Sequence, residues 1–412
     1  MRWPMDRSWR DRWLLPQRWL RRAWACLTAG SWRLALCRVL VVVAAIGLAG
    51  VLFVAAGLMP IAASAGHWPI TRVFLQFTMR SAVRTQTLGM NAPPLDDPAL
   101  VLKGAGHYAT GCLPCHGAPG QPRSLIVQQM VPEPPYLPPV IPELASEELF
   151  WVVKHGIKYT AMPAWVAQHR DDEVWAMVAF LRRLPELNAA QFGQLAYDER
   201  AAQFDPARID PIMPVPQPPI LANCVRCHGR DGDRRGSGAF PRLAGQSEAY
   251  LLASLQAFAR GDRHSGVMQP VAAGLSEHTM RALARHYATL GSGNLRTDEP
   301  ASEDDAAAVA RGDWLAHNGD AERRIPSCVA CHGPGSVARN PLYPQLAGQH
   351  VDYLALQLTL FKQDQRGGTV YADIMTAIGS RLDQRDIRDL SLYYASLSSQ
   401  RSESSAKSTA AP

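Results

Sequence analysis

Three five-residue motifs constrain this 412-residue chain more than any other feature: Cys112-Leu-Pro-Cys115-His116, Cys224-Val-Arg-Cys227-His228 and Cys328-Val-Ala-Cys331-His332. They use six of its eight cysteines and recur 112 and then 104 residues apart, each interval about one small domain. A Cys-x-x-Cys pair has several uses. A thioredoxin-like redox site sits between a strand and a helix of an α/β pattern, and no strand-rich stretch is present. A four-thiolate zinc site needs two pairs close in sequence and no following histidine. A histidine directly after each pair points to covalent attachment of c-type haem. There the two thiols bond the vinyl groups and the histidine is held against the iron. Three copies imply three haems.

The opposite face of each iron then decides the chemistry. A sixth protein ligand makes an electron carrier, and an open position allows ligand binding or catalysis. A methionine lies 46, 40 and 43 residues after the three motif histidines: Met162 after His116, Met268 after His228 and Met375 after His332. Met130 and His155 in the first segment, His264 in the second and His350 in the third are the rivals. A lone methionine is more often core filling. Three in the same relation to three motifs argue for thioether ligation, which raises the reduction potential relative to two imidazoles.

The stretches around the second and third motifs are an internal repeat. Phe240-Pro-Arg-Leu-Ala-Gly-Gln246 matches Tyr343-Pro-Gln-Leu-Ala-Gly-Gln349. Tyr250, Leu251, Leu255 and Phe258 match Tyr353, Leu354, Leu358 and Phe361 at the same offset of 103. Met268 matches Met375 at 107, so the third segment has four extra residues between. Helical spacing is expected over Leu100–Thr110, Glu147–Lys154 and Asp171–Leu184, whereas six prolines between Met130 and Leu144 argue for an extended loop.

The N-terminal part differs in kind. Residues 1–65 hold nine arginines against Asp6 and Asp11, so the formal net charge of +6 is concentrated there and the rest of the chain is close to neutral. Val39 to Met59 is uncharged and long enough to span a bilayer as a helix. The positive flank places the N-terminus in the cytoplasm and the haem segments outside. The rival is a signal peptide cleaved after Ala63-Ser64-Ala65, although its apolar core is then unusually long. Six of the eleven tryptophans lie in the first 32 residues, which suits a membrane interface. This charge pattern is a topology signal, and the basic faces of nucleic-acid binders are absent.

The expected fold is mainly α, with one N-terminal transmembrane helix followed by three helical haem domains. The expected boundaries are a basic Trp-rich cytoplasmic segment over 1–38, the anchor over 39–65, and an amphipathic segment with linker over 66–98. The first haem domain follows over 99–200, then a Pro-rich linker over 201–219, the second domain over 220–295, the third over 296–397 and a disordered tail over 398–412.

Each haem domain resembles a class I cytochrome c: helix, Cys-x-x-Cys-His, wrapping loops, methionine loop and last helix. Through Pro-x-Leu-Ala-Gly-Gln and the methionine loop, the second and third together resemble the tandem diheme cytochromes of the cytochrome c-four type. Through Gly111-Cys-x-x-Cys-His-Gly and Met162-Pro-Ala-Trp165, the first resembles the monohaem modules of oxidase-associated cytochromes. The resemblance covers about 100–397. It implies that Pro119 and Pro334 help orient the proximal histidines. The second domain departs from the pattern, with Arg230-Asp-Gly-Asp in that region and no long helix before its motif. Its first helix is therefore short or replaced by a neighbour's.

The resulting expectation is a non-enzymatic electron carrier in the bacterial inner membrane, with its haem domains in the periplasm. It would take electrons from a quinol-oxidising complex or a dehydrogenase and pass them toward a terminal oxidase. The alternative is the cytochrome subunit of a periplasmic dehydrogenase complex. A haem peroxidase stands last, because it needs a displaceable sixth ligand.

Overall fold

The computed structural model describes residues 32–197, 220–229, 231–232, 238–290, 302–333 and 340–397. The Trp-rich segment up to residue 31 with Cys26, the Pro-rich linker, Arg230, Pro334 and the C-terminal tail lie outside the described residues. The chain divides into two compact units, Met1–His67 and Trp68–Pro412.

The first unit holds α1 (Trp32–Ala55), 24 residues of mean hydropathy 2.6 with no buried residue. At about 1.5 Å per residue it reaches about 36 Å, long and apolar enough to cross a bilayer core. Its described part runs from Trp32, so Arg33 and Arg38 are helical together with the uncharged stretch from Val39. It ends at Ala55, just before Gly57 takes a positive φ of 72°. Ala63–Ala65 forms a separate 3-10 turn.

The second unit is helical, and among its described residues the only β pairing is two isolated bridges. α2 (Pro69–Gln86) buries Val83 and packs on α4 (Ser146–His155), with ion pairs Arg80–Glu143 and Arg84–Glu148 at 3.3 and 3.6 Å. Its Ile70, Val73, Phe74 and Phe77 remain exposed. α3 (Pro98–Gly111) starts on a proline, with the Asp97 side chain accepting from the Ala99 N–H. α5 (Asp171–Arg183) carries three acids in its first turn and two arginines in its last, matching its dipole. α3 crosses α5 at Gly104, where a Cβ would lie 2.2 Å from the Ala176 carbonyl oxygen. α6 (Ala189–Tyr197), not expected from the sequence, packs on α3 through Phe192.

The second motif lies on α7 (Ile220–His228), followed by α8 (Glu248–Arg260), α9 (Met268–Ala273) and α10 (Glu277–Thr289). The third segment has α11 (Glu303–Asn318), α12 (Val351–Lys362), α13 (Ala372–Gly379) and α14 (Gln384–Ser396). α11 crosses α14 at Gly312, where a Cβ would lie 2.1 Å from the Asp389 carbonyl oxygen. As described, α7 ends on its own motif histidine, His228, and packs on α3 and α6 of the preceding segment.

The two repeats meet around a pseudo-two-fold axis built from the repeated motif. Gln246 accepts from the Gln345 N–H at 2.9 Å and donates to the Gln345 carbonyl at 2.7 Å. Gln349 does the same to Arg242, at 3.0 and 3.1 Å.

Candidate haem-binding sites

Each motif closes a helical turn. His116 and His332 donate their N–H groups to the carbonyls of Cys112 and Cys328, at 2.9 Å each. The next residue is glycine in all three, Gly117, Gly229 and Gly333, with φ of 66°, 78° and 68°. That left-handed conformation turns the chain out of the helix where a side chain would be strained.

Burial pushes the Cys112 thiol up to about 12 and the Cys224 and Cys328 thiols up to about 11. A thioredoxin-type site depends on the opposite shift, toward a ready thiolate. Among the described residues no three His, Cys, Asp or Glu side chains converge as a metal cage. Both observations weigh against the rival uses of the motif.

The three histidines share one geometry. Nδ1 of His116, His228 and His332 lies 2.8, 3.1 and 3.1 Å from the carbonyl oxygens of Pro135, Pro241 and Pro344. A carbonyl only accepts, so Nδ1 carries the proton and Nε2 keeps the lone pair a metal needs. Burial lowers the pKa of His116 and His228, which keeps the rings neutral. The orienting group of the first site is thus Pro135 rather than Pro119. The sequence carried the signal: Pro241 and Pro344 stand at the same place in the Phe-Pro and Tyr-Pro starts of the repeated element.

The methionines are half-buried. Met162 lies in a tight turn, its N–H donating to Thr160 Oγ1 at 3.1 Å and its carbonyl accepting from Ile157 at 3.2 Å. Met268 begins α9 and Met375 lies inside α13, so these two sit in short helices rather than in open loops. Among the rivals, Met130 is half-buried, His155 and His264 are exposed, and His350 is buried at the start of α12.

A cavity of about 540 Å³ brings together Cys224, Cys227, His228 and Met268 with Cys328, Cys331, His332 and Met375. His116 and Met162 do not line it. Its walls are mostly apolar, with Leu251, Phe258, Leu354 and Phe361 at matching places of the repeat. Two arginines also face it, crosswise: Arg263 donates to Tyr353 Oη at 3.1 Å and Arg366 to Tyr250 Oη at 3.3 Å. The Tyr250 phenol, which burial alone would raise, is drawn down to about 8 by these two guanidinium groups. Arg366 Nε has no hydrogen-bond partner. An apolar slot with thiols, imidazole and thioether, plus two buried cations, suits a flat apolar ring bearing carboxylates. These residues fit haem.

The first segment adds to this wall. Leu100, Lys103 and Gly106 of α3 line the cavity, and a Cβ on Gly106 would lie 3.1 Å from Cys227 Sγ. Beside them His107 is half-buried, edge-on to Trp165 at 4.7 Å, and its pKa falls to about 4 through desolvation and the Arg226 charge. The sequence reading also missed a buried charged group. Glu173 and Arg170 are 5 % and 8 % exposed and 3.2 Å apart. Burial pushes the Glu173 carboxyl up against the pull of Arg170. The acidic start of α5 gave no hint of burial, because such residues usually face water.

The chain is similar to several known proteins. Residues 99–181 match the family described as cytochrome c oxidase, cbb3-type, subunit III. The chain is 40 % identical over 151 residues to the thiosulfate dehydrogenase electron acceptor of Thiomonas intermedia, covering 37 % of this chain and 68 % of that protein. It is 32 % identical over 177 residues to cytochrome c4 of Pseudomonas aeruginosa, covering 43 % of this chain and 84 % of the relative. Among solved structures, reduced cytochrome c4 from Pseudomonas stutzeri matches 43 % of this chain and 94 % of its own, at 31 % identity and a TM-score of 0.39.

Proposed function

The chain belongs to the c-type cytochromes of the cytochrome c4 kind, and on that premise we propose that it is a membrane-anchored carrier with three covalently held haems in the periplasm. Haem supplies a one-electron exchange between ferric and ferrous iron. The cysteine pairs hold each ring covalently, and Pro135, Pro241 and Pro344 hold each histidine in the tautomer that leaves Nε2 available. Met162, Met268 and Met375 would supply the thioether ligands. The observation that carries the reading is this threefold histidine–proline geometry, each directly after a cysteine pair.

Several features support the finer parts. α1 serves as the anchor, and the exposed apolar face of α2 would lie against the outer membrane surface. The modules are proposed as 99–200, 220–295 and 296–397. Electrons pass toward a terminal oxidase, in keeping with the oxidase-subunit match of the first module. A second reading has one specific observation behind it: relatives are named electron acceptors of thiosulfate dehydrogenase. The donor would then be a periplasmic dehydrogenase, with this chain as its cytochrome partner.

The test is a haem count with ligand replacement. Haem absorbance per chain should correspond to three, and Cys224→Ala with Cys227→Ala should reduce it to two. Met162→Ala should lower the first haem's potential and open its iron to carbon monoxide. Unchanged carbon monoxide binding would remove Met162 as a ligand. Co-purification with an oxidase or a dehydrogenase separates the two partner readings.

A further inference from the structure

The first and second modules meet at one buried carboxylate. Glu173 Oε1 accepts from Ser265 Oγ at 2.6 Å, and Oε2 accepts from the Gly266 N–H at 2.6 Å and from Trp165 Nε1 at 3.2 Å. Ser265 Oγ accepts in turn from the N–H groups of Val267 and Met268, at 3.3 and 3.0 Å. Arg170 lies beside Glu173, donates to the His264 carbonyl at 2.7 Å and is held by both oxygens of Asp172 at 2.8 and 2.9 Å.

These partners come from two particular loops. Trp165 follows Met162 by three residues, and Ser265 and Gly266 precede Met268 by three and two. The loops also touch directly, since a Cβ on Gly266 would lie 2.0 Å from Trp165 Nε1. Val267 packs on the apolar core of the first module. A buried carboxylate with this many donors is held in one position, and whatever is bonded to it shares that position. Met375 of the third module sits in α13, where Tyr371 is fixed by Asn340 at 2.9 Å, within its own module.

We propose that Glu173 is a positioning residue shared by two iron-ligand loops, so that the thioether ligation of the first and second haems is set together while that of the third is independent. This rests on the reading of Met162 and Met268 as ligands. The physical link is short: carboxylate to indole on one side, carboxylate to serine hydroxyl to the Met268 amide on the other.

The experiment uses the full-length protein with all haems attached. Glu173→Ala is compared with the parent by redox titration and by the thioether–iron absorption at the red end of the oxidised spectrum. The expected result is a fall in two of the three midpoint potentials, with a loss of up to two thirds of that absorption and an unchanged third potential. No change, or a change confined to one haem, overturns the proposal. Glu173→Gln keeps one acceptor oxygen and should fall between the two. Should Glu173→Ala fail to fold, Ser265→Ala decides. It leaves the Trp165 bond intact and should move only the second haem's potential, and an unmoved potential sinks the idea. Met162→Ala and Met268→Ala are run alongside. If neither removes its third of the absorption, the ligand assignment has failed. If both do and Glu173→Ala does not, the shared anchor has failed.

Discussion

The second and third modules are copies of one sequence pattern, yet they complete themselves differently. The third has its own leading helix, α11, crossing α14 at Gly312. In the second, the described residues leading into the motif are those of α7, and its buried apolar cluster is Leu251, Ala284 and Tyr287. What α11 does for the third module, α3 and α6 of the first partly do for the second, with Gly106 set against Cys227. The surroundings of the middle module are thus asymmetric: a pseudo-symmetric contact on one side and the first module with the Glu173 cluster on the other.

That comparison can be broken experimentally, starting with the largest expected effect. Gly312→Ala drives a Cβ into the Asp389 carbonyl and against the Tyr393 Cβ, atoms of α14 that cannot swing aside as a side-chain end would. A loss of about 3 kcal/mol is expected for the third module in denaturant unfolding. Gly104→Ala should match it in the first, and near-neutral results would mean that these crossings are looser than they stand here. Gly266→Ala meets the Trp165 indole, a side chain rather than backbone, and displaces it from Glu173, so about 2 kcal/mol is expected. Here the signature matters more than the size: amide exchange should speed up in α7 but not in α11. Equal acceleration in both would contradict a middle module completed by the first.

Gln246→Ala and Gln349→Ala each remove two hydrogen bonds across the pseudo-two-fold axis. Each should cost about 1–2 kcal/mol, and the two values should agree. A large inequality would show that the symmetry of the bonds is not one of energies. The smallest effect concerns Asp172. Burial would raise its carboxyl, but hydrogen bonds and charge from Arg170 win and hold it below the usual carboxylate range. A depressed folded-state pKa contributes stability that is present above the unfolded value, about 3.9, and is lost as pH falls through the folded value. As pH falls below about 4, unfolding midpoints should therefore drop less in Asp172→Asn than in the parent. An identical pH profile would remove this ion pair from the account.

Much of the architecture was legible because it is written locally. The helical spacing of Leu100–Thr110 and Asp171–Leu184 foreshadowed α3 and α5 to within a few residues. The constant offset of 103 foreshadowed more than a shared fold, since the same offset relates Gln246 to Gln349 and Arg263 to Arg366 across the axis. Arg366 still keeps that offset, which puts the four extra residues of the third module between Arg366 and Met375. α6 escaped notice because Ala189–Tyr197 has a short apolar period that propensity alone does not distinguish from a loop. The resemblance pointed to Pro119 in the first module, whereas the carbonyl that meets each motif histidine belongs to a proline 12 to 19 residues further on.

The sequence by itself determined the cysteine–cysteine–histidine chemistry, the helical class, the repeat and the candidate methionines, because each is a pattern of residue types at short spacing. Only the tertiary structure decided which proline carbonyl fixes each histidine, which neighbours cover α7, and that Glu173 joins the Met162 and Met268 loops. Those are contacts between groups up to about a hundred residues apart, such as Glu173 and Gly266. A carboxylate at the start of a helix reads the same whether it faces water or a neighbouring module, and only packing separates the two.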